Sequence, residues 1–309
     1  FWSALGGGFV VVLLCLGKLG LHAIHLPPLL GAFGAWFVYS AGFLLMQFSG
    51  FTLATKLPSF LAANLAHRLS RARGRAQSQE IVDDFRKSFT SQGVALLGNL
   101  AGLIPIGLAL TWVLSHALGV SLFSAEEAQH SLLDAHPYRS LAIALGALTG
   151  AELWISSLAG GWFENWLVFH RVPEAIAAHP RLQAALGANA AKSFGAFVEK
   201  HSSGVAANLA LGFLFGFVPL IGIFIGVNTE SRHVTIASTQ TLLALASPYA
   251  VAPPLQLLIE VVIGLLCIGL MNFFVSFSLS LSLAARAIGL RHVWRIGIGK
   301  MLRAARAKK

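Results

Sequence analysis

Four ionisable side chains interrupt apolar runs in this chain: Lys18, Glu152, Glu164 and Glu260. A charge in hydrocarbon is costly, so such groups face a bundle interior, an aqueous cavity or the interface. Lys18 lies near one end of its run and can snorkel to the interface. Glu164 lies near the other end of its own run and can reach water. Glu152 sits midway along its run, and Glu260 about two turns into its own. A carboxyl at such a depth is protonated, is paired with a cation such as Lys18, or lines a path for a solute or a proton. Gln47, Asn99, Asn165, Asn208 and Asn272 are also set in apolar surroundings. Amides there hydrogen-bond across helices or line a cavity. The sharper expectation is a polar site formed by Gln47, Asn99, Glu152, Asn208 and Glu260, with Lys18 as a pairing cation. His22 and His25 are three apart and would hold a metal only weakly, with no third ligand evident. Cys15 and Cys267 both fall in apolar runs, so no disulfide or zinc site is indicated. No metal and no cofactor are expected.

Long apolar elements must position these groups. Only 11% of the 309 residues are charged, against about 25% in ordinary soluble domains. Mean hydropathy is +0.73. A soluble globular fold is excluded, and the expected class is an all-α polytopic transmembrane bundle. About 20 apolar residues are needed per crossing. Six stretches qualify: 2–22, 28–51, 93–118, 140–166, 204–226 and 255–283. A weaker stretch, 234–252, is rich in Ser and Thr and reads as re-entrant or interfacial rather than as a seventh span. Of the 22 Lys and Arg, 19 fall in segments 56–90, 171–200 and the tail from Arg286, whereas 119–139 is acidic. The basic segments are expected in the cytoplasm. This gives one membrane domain over 1–309 with both ends inside. Three hairpins, about 1–55, 91–170 and 204–285, are joined by cytoplasmic segments 56–90, 171–203 and 286–309. Segments 57–69 and 173–186 read as amphipathic surface helices. Pro58 and Pro173 would sit in their first turns. The net charge of +10 then records topology. It favours anionic lipid over nucleic acid as a partner. The oligomeric state stays open.

The hairpins share local patterns. Lys56-Leu57-Pro58 precedes Ala62-Ala63 at the offsets at which Arg171-Val172-Pro173 precedes Ala177-Ala178. Ser91-Gln92-Gly93-Val94-Ala95 leads to Asn99 much as Ser203-Gly204-Val205-Ala206 leads to Asn208. The patterns suggest a direct threefold repeat of a helical hairpin. Paired small residues, Gly98 with Gly102 and Gly212 with Gly216, suit close helix packing.

Several motifs carry a family resemblance. They are Gly6-Gly7-Gly8 with Lys18, Tyr39-Ser40-Ala41-Gly42-Phe43, and Phe51-Thr52-Leu53-Ala54-Thr55-Lys56. Leu97-Gly98-Asn99 with Pro105 follows, then Ser156 through Trp162, Glu164-Asn165-Trp166, and His170-Arg171-Val172-Pro173. Ser203-Gly204 with Asn208, and Arg232-His233-Val234-Thr235, complete the set. The chain resembles the bacterial membrane proteins catalogued as the site-specific recombinase family. Leu57 and Phe163 depart from its usual pattern. The resemblance implies an inner-membrane protein with a further N-terminal helical region, which agrees with a chain that opens on Phe1. It also names a chemistry. A tyrosine recombinase needs a Tyr nucleophile with Arg, Lys and His groups around the phosphoryl centre. His292-Val293-Trp294-Arg295 spells one part of such a set, yet Tyr39, Tyr138 and Tyr249 all lie upstream of it. No Walker-type phosphate loop is present. Handling of a small solute or lipid in the membrane, or a membrane anchor and assembly scaffold, is expected ahead of recombination.

Overall fold

The computed structural model describes residues 1–56, 61–71 and 75–289. Among the described residues there are eleven helices and no strands. In chain order these are α1 (Trp2–Ala23), α2 (Pro28–Phe48), α3 (Leu61–Arg71), α4 (Arg75–Ala117), α5 (Ala125–Asp134) and α6 (Ala142–Phe169). They continue as α7 (Val172–Ala178), α8 (Pro180–Leu186), α9 (Ala188–Ile225), α10 (Val234–Leu245) and α11 (Leu255–Ala287). Six of them, α1, α2, α4, α6, α9 and α11, are long and apolar enough to cross a membrane. Large apolar side chains such as Phe37, Trp112, Trp162 and Phe169 point away from the bundle, as a lipid-facing surface requires. Pro58, His292 and Arg295 lie outside the described residues.

Helix directions follow from which glycines approach which neighbours. Gly98 and Gly102 of α4 back onto Ala4 and Leu5 of α1, so those two run parallel. Gly146 and Gly150 of α6 back onto Ile268 and Asn272 of α11, again in parallel. Gly212 and Gly216 of α9 meet Ser40 and Trp36 of α2 in the opposite sense. Thus α1, α4 and α9 run one way and α2, α6 and α11 the other. One face of the bundle carries the basic connections. The other carries α5, whose start is capped reciprocally by Ser124 and Glu127.

The spans alternate in direction as three out-and-back hairpins require, but within those hairpins only α1 and α2 pack on each other. Helix α4 lies along α1, and α11 along α6, while α6 and α2 both pack on α9. Linear neighbours are therefore not spatial partners for the later spans. Glycine contacts, which let backbones close in, choose the partners instead. The short helices also differ from surface-lying elements. In α3, Leu65 and Leu69 are fully buried against Phe277, Leu281 and Ala284 of α11. The helices α7 and α8 pack on the start of α9.

Two non-helical stretches run from the surface into the bundle. After α2 the chain turns back inward over residues 51–56. After α9 it descends over 227–233, and α10 then climbs back to the face it came from, where Ser247 meets Ser121 and Phe123. Non-helical backbone inside an apolar bundle needs partners for its N–H and C=O groups. Two asparagines supply them. Asn99 of α4 accepts from the Ala54 N–H at 2.8 Å and donates to the Thr52 carbonyl at 2.9 Å and the Ala4 carbonyl at 2.6 Å. Asn272 of α11 accepts from the Val234 N–H at 2.9 Å and donates to the Arg232 carbonyl at 3.0 Å and the Gly146 carbonyl at 2.9 Å. Both amides are fully buried.

The two clamps are one construction used twice. Residues 4, 52, 54 and 99 of the first half answer to 146, 232, 234 and 272 of the second. The clamped helices run in opposite directions, so the halves are related by an inverted twofold. Three further features obey it. Gly50 and Gly226 both have φ of +69° and close α2 and α9 with the same turn, Phe51 N–H to Met46 O and Val227 N–H to Gly222 O. The relation exchanges the Gly212–Ser40 and Gly216–Trp36 contacts, and it pairs Tyr39 with Phe215, whose rings meet edge-on at 5.3 Å. Finally, α3 packs on α11 as α10 packs on α4. The repeat is thus twofold and inverted, not threefold and direct.

Candidate functional site

The two inward segments enter from opposite faces and meet. Thr55 Oγ1 is 3.1 Å from His233 Nε2, and both residues are buried. Asn99 ties them together, because its Oδ1 also accepts from the Thr235 hydroxyl at 3.2 Å. His233 caps α10 by accepting the Thr235 N–H on Nδ1 at 3.3 Å. Burial pushes its imidazole down to about 3, so the ring is neutral at ordinary pH.

On the acidic face a cavity of about 830 Å³ opens between α1, α2, α9 and the descending segment. Its walls include Leu21, Tyr39, Phe215, Pro219 and Leu220, and His22 and His25 stand at its rim. Its floor is ionic. Lys18 Nζ is 2.5 Å from Glu230 Oε1. Arg232, itself 7% exposed, reaches Glu230 at 3.1 Å and Asp134 at 2.9 Å through Nη2. The Lys18 ammonium holds the Glu230 carboxyl at about 2. The Arg232 N–H donates to Thr149 Oγ1 at 2.7 Å. Beside this floor the Ser231 hydroxyl donates to Glu152 Oε1 at 2.9 Å. Glu152 is 2% exposed, and its Oε2 has no partner.

Towards the basic face, Lys56 follows the first clamped segment. Its ammonium donates to Asn208 Oδ1 and lies 5.7 Å from the centre of the Phe43 ring. Asn208 donates in turn to Gln47 Oε1 at 2.5 Å. Burial lowers the Lys56 amine to about 8.

The expected polar site therefore divides. Gln47 and Asn208 join Lys56 on the basic side, Asn99 clamps the first segment, and Glu152 lies at the second. Glu260 is not with them: it sits at the acidic-face end of α11, 2.9 Å from His136 and 3.1 Å from Gln256. Lys18 pairs with Glu230, not with Glu152 or Glu260, because the descending segment brings Glu230 to it. Of the motif residues, Trp162 and Asn165 face outward, and Glu164 is half-buried. His170 donates from Nδ1 to the Trp166 carbonyl, 2.8 Å away. Arg171 turns the chain with φ of +49°, and the Pro173 carbonyl seats against Gly195. Thr55, Ser231, Arg232, His233 and Asn272 complete the interior. Arg232 and His233 stood in a motif already. Asn272 stood among the apolar amides. Their joint role depends on which extended segment each helix holds, and no local pattern encodes that.

No curated protein and no solved structure matches the chain. A family model described as "Site-specific recombinase" matches residues 1–308. With its motifs running through both clamps and the segments that they hold, the chain belongs to that family.

Proposed function

We propose that this protein is a transporter of a small polar solute in the bacterial inner membrane, with both ends cytoplasmic, working by alternating access. The carrying observation is the meeting of two oppositely directed inward segments inside an inverted repeat. Secondary transporters place their sites where such repeats meet, next to broken helices. The placement of basic residues supports the orientation and a contact of that face with anionic lipid.

The twofold gives the reading its content. The acidic-face cavity is lined by Ala35, Tyr39 and Phe215 among others. The mate of Ala35 is Leu211, which is closed in the core, whereas Tyr39 and Phe215 are mates of each other. Exchanging the conformations of the halves would shut the present cavity and open one on the basic face, bordered by Leu211, Asn208, Gln47 and Glu164. The test uses Asn228→Cys and Leu211→Cys in a chain whose Cys15 and Cys267 are replaced by serine. An impermeant maleimide should label the first only from the acidic face and the second only from the basic face. Labelling at one should protect the other. Leu211→Cys that never reacts while Asn228→Cys always does would describe a static bundle, and the anchor reading would replace transport.

A further inference from the structure

Glu152 is a buried acid in a membrane span with part of its hydrogen-bonding capacity unused. One oxygen takes the Ser231 hydroxyl and the other takes nothing. The fold itself does not ask for a carboxyl there. The twofold that maps Gly8 onto Gly150 maps Val10 onto Glu152. Val10 lies buried in an apolar cluster. The same place in the other half is thus filled by hydrocarbon. A buried unpaired carboxylate is among the costliest groups a core can hold. Such a group inside a membrane protein is retained for proton or solute handling.

We propose that Glu152 binds and releases a proton during the cycle, and that its charge sets the position of the 227–233 segment, making transport proton-coupled. The inference rests on the transport reading above. Release breaks the O–H bond, leaves the electron pair on the carboxylate, and passes the proton to water in the cavity at Ser231, which lines it. The new negative charge then competes for Arg232. That guanidinium has an Nε without a partner and spends its Nη2 on Asp134 and Glu230. Drawing it towards Glu152 loosens the ionic floor.

Other titratable groups near this point are few. The descending segment presents Glu230, Arg232 and His233; α1 presents Lys18, α2 Tyr39, and the end of α5 Asp134. Helix α9 has no ionisable side chain beyond His201, and α11 has only Cys267 between Glu260 and Arg286. Glu230 and His233 are held far from neutrality.

The test measures maleimide labelling of Asn228→Cys in reconstituted vesicles between pH 5 and pH 8. Each rate is divided by that of the same chain carrying Glu152→Gln, which removes the thiol's own titration. The ratio should change several-fold and follow a single-proton curve. A carboxyl infrared band should titrate over the same range and vanish in Glu152→Gln. Replacing His22 and His25 by glutamine should leave the curve in place. Glu152→Val, copying Val10, should express and melt at least as well as the parent, which separates this role from a structural one. A ratio without pH dependence, or an infrared band that survives Glu152→Gln, would overturn the proposal. If labelling of Asn228→Cys and Leu211→Cys stays mutually exclusive while that ratio is flat, transport stands and proton coupling falls. If the band titrates while Leu211→Cys never reacts, the proton site stands and the transport reading falls.

Discussion

Asn99 and Asn272 do for two extended segments what a neighbouring strand does in a sheet. Each side-chain amide presents a C=O and an N–H to a backbone N–H and a C=O two residues apart. Truncation leaves several buried peptide groups unpaired, at about 1–3 kcal/mol for each orphan. Asn99→Ala and Asn272→Ala should each lower unfolding stability in micelles by at least about 2 kcal/mol. Asn208→Ala, which loses amide contacts with Gln47 and Lys56, should cost less than either, nearer the membrane average of about 0.6 kcal/mol. An equal cost at all three positions would argue against the clamp. The Lys18–Glu230 pair gives a pH expectation. Glu230 has a depressed carboxyl, at about 2 instead of 4.5. Its contribution is present above the ordinary value and is lost as pH falls through about 2. Melting temperature should therefore be insensitive to this pair from pH 5 to pH 8. It should fall below pH 4.5, and less so in a Glu230→Gln chain.

At the scale of elements, helix pairing is set by backbone approach. A Cβ on Gly150 would press on the Met271 and Asn272 carbonyls and Val275. Gly150→Val should cost about 1–3 kcal/mol by overpacking. Gly31→Val, where nothing lies within 4 Å, should stay within about 0.5 kcal/mol. Matching losses at the two sites would refute the pairing of α6 with α11. The six spans were legible in the chain because hydropathy needs no partner to be seen. So was the exclusion of 234–252 as a seventh span, from its Ser and Thr content and the even number of spans, though the chain left re-entrant and interfacial placements open. Partner choice was not legible. Residues 51–56 were recognisable as a motif but read as the end of one span and the start of a loop. What lets them run inward is Asn99, a side chain of a later helix. The resemblance between Lys56-Leu57-Pro58 and Arg171-Val172-Pro173 was real as a pattern but joined non-equivalent places. The true equivalents, such as 52 with 232, are spaced differently because α5, α7 and α8 and four extra residues after Gly226 intervene.

For the whole molecule, the inverted twofold decides where chemistry is shared and where it is not. Shared are the clamps, the turns at Gly50 and Gly226, and the α2–α9 crossing. Not repeated by the twofold are Glu152 with Ser231, Lys18 with Glu230, and Lys56 with Asn208 and Gln47. The symmetric parts let the bundle hold two arrangements of similar energy, and the asymmetric parts supply what biases them. Mutual exclusion of the Asn228→Cys and Leu211→Cys reactions is a property of that scale, since no single helix can produce it. The family's description names a chemistry in which a tyrosine would be the nucleophile. Tyr39 is buried in the bundle, and Tyr138 and Tyr249 stand at the acidic face, across the bundle from where α11 ends.

The clamps also constrain biogenesis. Residues 51–56 emerge from the ribosome well before α4, and 227–233 before α11. Until the later helix arrives, each extended segment has no amide to meet its peptide groups and cannot settle in the lipid phase. Each half must therefore wait for its last helix before its middle can enter. A nascent chain stalled between α2 and α4 would hold two inserted helices and an irregular segment still outside, a natural substrate for quality-control proteolysis.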